Sequence, residues 1–205
     1  MPEHVEHNTC VAVFARAPIW GSVKTRLAAV LGNDVALTVH QKLLRETLDS
    51  VLDPERYAVE LWLAGDPISL ESEPGPLNVE LRQQSEGDLG ERMLATITQL
   101  TEAGRHAIVI GCDCPLMSRD YLRTAASALF NHDLVIGPSE DGGYTLIGMC
   151  RPIPELFVGM TWSVPSVLNE TLRRAAELDL RVAQMETLWD VDTAADWRRW
   201  RALRT

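Results

Sequence analysis

The stretch His106-Ala-Ile-Val-Ile-Gly-Cys-Asp-Cys-Pro115 decides how the rest of the chain is read. Ala107 to Ile110 is a short unbroken apolar run, the pattern of a strand covered on both faces of a parallel sheet. It stops at Gly111, and two residues later a carboxylate, Asp113, stands just ahead of Pro115. Ligands of open α/β sheets bind beyond the carboxyl ends of the strands, so Asp113 falls where chemistry is expected.

Outward from this strand, apolar runs alternate with amphipathic segments. Cys10 to Phe14, Tyr57 to Ala64, Val79 to Gln83, Asp133 to Gly137, Gly143 to Met149 and Arg181 to Thr187 read as strands. Helices are expected from Asp34, with Val35, Val39, Leu43, Leu44, Leu48 and Val51 on one face, and from Asp88, where Glu91 three residues on makes a capping box. Others follow Ser118 and Ser163, and a last one is marked by Trp197, Trp200 and Leu203, whose tryptophans read as packing residues. Gly65 to Asn78, with three prolines, reads as a loop. Strands and helices in alternation imply a three-layer α/β/α sandwich around a mainly parallel sheet. The 205 residues suffice for a single domain, 1–205, with a polar N-terminal tail at 1–8.

Composition narrows the function. A net charge of −10 argues against a nucleic-acid groove or an anionic membrane surface, both of which require a basic face. No apolar run is long enough to span a bilayer, and the N-terminus lacks a signal-peptide core, so cytoplasmic residence is the expectation. The four cysteines contain no C-x-x-C pair, and Cys112-x-Cys114 fits buried thiols better than a zinc site. None of the five histidines stands in a triad arrangement, and no G-x-S-x-G elbow occurs.

Four constellations carry candidate chemistry. In Phe14-Ala-Arg-Ala-Pro-Ile-Trp-Gly-Ser-Val-Lys-Thr-Arg26, directly after the first strand, Gly21 permits close backbone approach while Arg16, Lys24 and Arg26 supply charge for phosphate. It is not a P-loop, because Val23 stands where glycine must precede the lysine. Asp113 with Trp189-Asp190-Val191-Asp192-Thr193 offers oxygen ligands to a hard cation, Mg²⁺ or Mn²⁺. The ligands expected are Asp113 and Asp192, with Asp190 as a further candidate; Thr193 also reads as the cap of the final helix. Gly137-Pro-Ser-Glu-Asp-Gly-Gly-Tyr144 is turn chemistry that carries Asp141, Gly142, Gly143 and Tyr144 to the same sheet edge, where they are candidates to face substrate. Gly87 and Asp88, opening a capped helix, are candidates for nucleotide contact. Trp162, in a loop beside Met160 and Ser163, is the candidate to stack on a sugar or base.

Taken in order, Phe14-Ala-Arg-Ala-Pro-x-x-Gly-x-Val-Lys-Thr-Arg-Leu27, Gly111-x-Asp-x-Pro115, Gly137-Pro-x-x-Asp-Gly-Gly-Tyr144 and Asp190-Val-Asp-Thr193 resemble a bacterial family of GT-A-like transferases, also labelled radical-SAM/selenodomain-associated transferase 1. The resemblance runs from about residue 10 to 200 and implies the nucleotide-diphospho-sugar transferase fold. More distantly, Lys24-Thr-Arg26 and Asp190-Val-Asp192 are similar to stretches of phospholactate and molybdenum-cofactor guanylyltransferases. That likeness implies triphosphate on the N-terminal loop and the metal on Asp113 and Asp192. The loop departs from the glycine-rich form of those enzymes, having Ala15-Arg-Ala-Pro18 instead.

The expected activity is metal-dependent transfer from an activated nucleotide to a small-molecule acceptor. Lys24 and Arg26 would stabilise the leaving phosphate electrostatically, and Lys24, Asp113 and Asp141 are the candidate catalytic residues. Glycosyl transfer from a nucleotide-sugar donor, with Asp141 as a base, is favoured slightly. Nucleotidyl transfer from an NTP to a phosphorylated acceptor, releasing pyrophosphate, is the first alternative, and a non-catalytic nucleotide-binding protein is the second.

Overall fold

In a computed structural model, residues 8–66 and 79–204 are described. Seven strands form one sheet: β1 (Thr9–Arg16), β2 (Ala58–Ala64), β3 (Glu80–Gln83), β4 (His106–Gly111), β5 (Leu134–Pro138), β6 (Tyr144–Met149) and β7 (Val182–Gln184). Their order is β3-β2-β1-β4-β6-β5-β7, and β6 alone runs antiparallel to its neighbours β4 and β5. The helices are α1 (Thr25–Leu31), α2 (Asn33–Val51), α3 (Leu89–Glu102), α4 (Arg119–Ala128), α5 (Val167–Glu177) and α6 (Ala194–Ala202). This is the three-layer sandwich with a mixed, mainly parallel sheet that the alternation implies.

The period-2 geometry of strands divides β1 between two cores. Val11, Val13 and Ala15 face one way and pack under α2 and α4 through Leu44, Leu48, Leu122 and Ala125. Cys10, Ala12 and Phe14 face the other way, toward Met93, Ile97 and Leu100 of α3. A third, smaller cluster joins Leu27 of α1, Val39 and Leu43 of α2, and Trp189, Val191 and Trp200. It lies at one end of the sheet and ties the first helices to the last, so Trp200 does pack as expected.

β1 and β4 are adjacent, yet the chain leaves β1 toward β2 on one side and β4 lies on the other. The strand order thus reverses between β1 and β4, and ligands of open sheets bind beyond the strands' carboxyl ends at such a switch point. The stretch with Asp113 leaves β4 at that point.

Several boundaries differ from expectation for local reasons. The loop after β1 gives way at Thr25 to the short helix α1, and Gly32, with φ of 84°, breaks it from α2. Val35 is 37% exposed, whereas His40, 4% exposed, takes a place on the buried face of α2. α5 begins at Val167 rather than Ser163, because Ser163 adopts a left-handed φ of 61° and Pro165 follows. β7 is shorter than Arg181 to Thr187, and Leu203 is exposed at the end of α6. The expected loop at Gly65 to Asn78 lies largely outside the described residues. No described helix is long and apolar enough to cross a membrane.

The capping box at α3 forms as its spacing predicts: Asp88 accepts from Glu91 N at 2.9 Å, and Glu91 accepts from Asp88 N at 2.8 Å. Asp88→Ala should therefore cost about 1 kcal/mol in urea-unfolding stability, whereas a change within 0.3 kcal/mol would show that the cap contributes little.

Candidate active site

Two basins adjoin at the carboxyl ends of the strands. The first, of about 550 Å³, is lined by the β1–α1 loop (Arg16, Ser22, Val23, Lys24), by His40, Gln84 and Arg92, and by Cys112, Asp113 and Asp192. The second, of about 470 Å³, is lined by Asp141, Gly143, Tyr144, Val164, Pro165, Asp190, Asp192 and Arg26. Leu89, Trp162, Ser163 and Asp192 border both.

At the floor, three segments distant in sequence are tied together. The Lys24 ammonium meets Asp113 Oδ1 at 2.7 Å and donates to Val191 O at 2.6 Å, while Val191 N donates to Asp113 O at 3.0 Å. Lys24 enters from a left-handed backbone conformation, φ 49°, immediately ahead of α1. Its side chain is 4% exposed against 40% for Asp113. The ammonium is thus sealed beneath the cleft, and Asp113 keeps a face open to it. Burial alone would lower the Lys24 pKa, but the adjacent carboxylate outweighs it and the net shift is upward. Burial would likewise raise Asp113, yet Lys24 holds it below the usual carboxylate value.

The turn between β5 and β6 brings in the remaining acids. Leu188 N donates to Pro138 O and Glu140 N to Leu188 O, so the segment carrying Trp189 to Asp192 runs beside the turn. Arg199 of α6 fixes it further, forming two hydrogen bonds with Glu140 at 2.7 and 2.9 Å while lying 4.1 Å from the centre of the Trp189 ring. Asp190, half-buried and accepting a long 3.4 Å hydrogen bond from Ser139 Oγ, has its pKa pushed up to about 7 by burial and by the carboxylates of Asp113 and Asp141. Asp192 pairs at 3.0 Å with Arg26, across 70% and 44% exposed side chains.

His40 completes the group from α2. Its Nε2 sits 2.9 Å from Arg16 O, and a carbonyl can only accept, so that nitrogen carries the proton. Ligand atoms of His40, Cys112 and Asp113 lie within 4.8 Å of one another, a candidate metal-binding cluster among the described residues. The Cys112 thiol is pushed well up by burial and by Asp113, which keeps it protonated and a poor ligand. For a hard cation, carboxylate oxygens are the better matched kind of donor, and Asp113 and Asp192 line the first basin while Asp190 and Asp192 line the second.

The structure therefore brings Arg16, Lys24, Arg26, Asp113, Asp141, Gly143, Tyr144, Trp162, Asp190 and Asp192 to the walls of the basins. Four expected residues do not line them. Gly21 is off the cleft, although Arg16 before it and Ser22 after it both line the wall. Asp88 spends its carboxylate on the helix cap, and a side chain at Gly87 would strike Glu91. Gly142, at φ 87°, instead packs against Pro165, whose carbonyl a Cβ there would meet at 2.1 Å. Trp162 stacks on Phe157 at 6.3 Å and meets Tyr144 edge-on at 6.4 Å. A Cβ at Gly90 would lie 2.4 Å from its ring, so α3 can pass this close only with glycine at 90. His40, Gln84 and Arg92 join the wall without being anticipated; His40 sits within the apolar stripe of α2, and its period was the available signal.

The fold and the cleft place the chain in the GT-A-like superfamily of nucleotide-diphospho-sugar transferases. It belongs to the bacterial family described as "Uncharacterized protein conserved in bacteria (DUF2064)", whose profile matches residues 47–164. It is similar, at 29% identity and a TM-score of 0.86, to a crystal structure from Desulfovibrio desulfuricans G20 provisionally named a nucleotide-diphospho-sugar transferase; the match covers 95% of this chain and 86% of that one. A nucleotidyl transferase from Methanothermobacter thermautotrophicus shares the fold at 18% identity and a TM-score of 0.64, over 96% of this chain and 99% of that one. Rv0371c of Mycobacterium tuberculosis, solved with manganese, does so at 15% identity and 0.55, over 93% and 97%. No curated protein matches the chain in sequence.

Two variants test this geometry. Lys24→Met should leave Asp113 without its counter-ion and destabilise the fold by about 2 kcal/mol, read from chemical denaturation; an unchanged midpoint would show that the pair is not a tie. For Asp190 the folded pKa, about 7, lies above the unfolded value near 3.8, so the folded state holds the extra proton between them. Stability contributed there falls as pH rises toward 7, and the full penalty stands above it. Asp190→Asn should accordingly stabilise the protein by about 1–2 kcal/mol at pH 8 and have little effect at pH 4; equal effects at both would refute the assignment.

Proposed function

We propose that the protein is a divalent-cation-dependent nucleotidyltransferase, joining a nucleoside monophosphate unit from an NTP to a phosphorylated small acceptor. The observation that carries this reading is the pair of adjoining basins beyond the strand ends, which share Asp192 and place Asp113 with Arg16 and Arg92 in one and Asp190 with Asp141 in the other. Carboxylate oxygens lining two adjoining basins are the donors that suit a cation such as Mg²⁺ or Mn²⁺. When bound, such a cation supplies charge neutralisation for the phosphates between the two basins.

The chain's own groups supply the rest. The first basin, at the mouth of β1 and β4, takes the nucleotide, and the second takes the acceptor. Lys24 acts through Asp113, holding that carboxylate ionised and oriented, instead of reaching ligand phosphate itself. Trp162, bordering both basins, sets the limit between donor and acceptor. No covalent nucleophile is required: the acceptor phosphate attacks the α-phosphorus, and pyrophosphate departs.

Nucleotidyl transfer is preferred to glycosyl transfer because of Asp141. As the base candidate for a sugar acceptor, it has Oδ1 engaged by Gly143 N at 2.9 Å, closing its own turn. An acceptor phosphate is already ionised and needs no base. The near-complete overlap with the Methanothermobacter nucleotidyl transferase supports the same reading.

The test is a panel of NTPs and nucleotide-sugars, with Mn²⁺ and phosphorylated acceptors, followed by product analysis. NTP-dependent pyrophosphate release is expected, falling about 100-fold or more in Asp113→Asn. Release of nucleoside diphosphate from a nucleotide-sugar would instead establish glycosyl transfer. Nucleotide binding by thermal shift with neither product would leave a binding protein.

A further inference from the structure

Of the three cations expected to meet phosphate, two are occupied: Lys24 by Asp113 and Val191 O, and Arg26 by Asp192. The third, Arg16 at the end of β1, lines the first basin together with the unanticipated Arg92 of α3, and among the described residues no carboxylate forms an ion pair with either. Most arginines of this acidic protein are paired, as Arg105 is with Glu60, Arg123 with Asp53, Arg181 with Asp133 and Arg199 with Glu140.

Arg92 is held by neutral groups. Its Nε donates to Asp88 O at 3.2 Å, within the first turn of its own helix, and one terminal nitrogen donates to Gln84 Oε1 at 3.0 Å. Gln84 is itself fixed: 7% exposed, it donates from Nε2 to Ala15 O at 3.2 Å and to Trp62 O at 2.7 Å. With both amide hydrogens committed to the ends of β1 and β2, its oxygen can face only toward Arg92. The guanidinium is therefore oriented without a direct ion pair, and three of its five N–H groups have no partner among the described residues. Burial and the neighbouring charge of Arg16 both lower its pKa, against opposing influences from Asp88 and Glu86.

A pair of like charges brought together in a cleft, one of them rigidly braced, costs free energy that an anion would recover. We infer that Arg92, oriented by Gln84 and sharing the first basin with Arg16, is its phosphate-reading residue, taking a phosphoryl group of the ligand independently of any divalent cation. This rests on the nucleotide reading above for the ligand's identity. Planar N–H forks suit such a group, and two of them match the charge of a terminal or bridging phosphate better than a single lysine does.

The test is isothermal titration calorimetry in EDTA with pyrophosphate, a nucleoside triphosphate and the uncharged nucleoside. Wild-type protein should bind pyrophosphate and the triphosphate, and the nucleoside at least about tenfold more weakly than the triphosphate. Arg92→Gln should weaken both anions by about tenfold or more, while Arg201→Gln, the same loss of charge on exposed α6, should stay within about twofold. Gln84→Leu should weaken them as well with Arg92 still present; if that buried change unfolds the protein, Arg92→Gln alone decides. Wild-type anion affinity in Arg92→Gln, an equal loss in Arg201→Gln, or a nucleoside bound as tightly as its triphosphate would each overturn the inference. Arg92-dependent pyrophosphate binding without any turnover would sustain the subsite and defeat the proposed reaction. Turnover with normal anion binding in Arg92→Gln would do the reverse.

Discussion

The Lys24–Asp113 ion pair is the constraint on which the site depends. It is one contact of a closed circuit: ammonium to carboxylate, ammonium to Val191 carbonyl, and Val191 amide back to the Asp113 carbonyl. Each of the three segments is a loop leaving a strand or preceding a helix, and none has periodic hydrogen bonding to hold it. The circuit does that, with Leu27, Trp189, Val191 and Trp200 packing beneath it. A charge 4% exposed would be costly alone, and it persists because its partner is adjacent and its second hydrogen bond is made.

That arrangement separates the acids by role. Asp113 is kept ionised by Lys24, so a negative oxygen always faces the cleft. Asp190, nearby and without such a partner, is raised to about 7 by burial and by the very charges around it. In the proposed reaction a cation arriving near neutral pH would displace a proton from Asp190 rather than meet every carboxylate fully charged. Asp192, paired with Arg26 at the surface, has an arginine to release first. The same four-residue span, Trp189 to Asp192, thus holds a packing residue, a proton-linked acid, a backbone tie and an exposed ion pair.

Much of this was legible in the chain, and the reason is local. A strand such as Ala107 to Ile110 declares itself by an unbroken apolar run, and caps at Asp88, Ser118 and Thr193 declare themselves by spacing. The residues following strand ends, Arg16, Asp113 and Asp141, could be placed at the cleft because topology alone puts them there. What could not be read was who pairs with whom. Lys24 looks like a phosphate ligand until a carboxylate 89 positions away claims it. His40 looks like one more residue on a helix face, and Arg92 like a solvated charge on α3, until Gln84 is seen bridging two strand ends to reach it. Gly87 and Asp88 lie off both basins, and the Asp88 carboxylate is taken up by the helix cap.

The distribution of charge within the cleft follows from the same pairings. The protein carries a net charge of −10, and a site for phosphorylated ligands cannot simply be lined with cations that the surrounding acids would neutralise. Gln84 and the Asp88 carbonyl orient Arg92 without cancelling it, which preserves a positive end in the first basin. Across Trp162, the second basin keeps Asp141, Asp190 and Asp192 against a single paired Arg26. An anionic ligand entering the cleft would therefore be drawn first to the arginine end, and could extend over the carboxylates only once a cation covers them. In the proposed reaction, that asymmetry fixes which phosphate lies where before any chemistry begins.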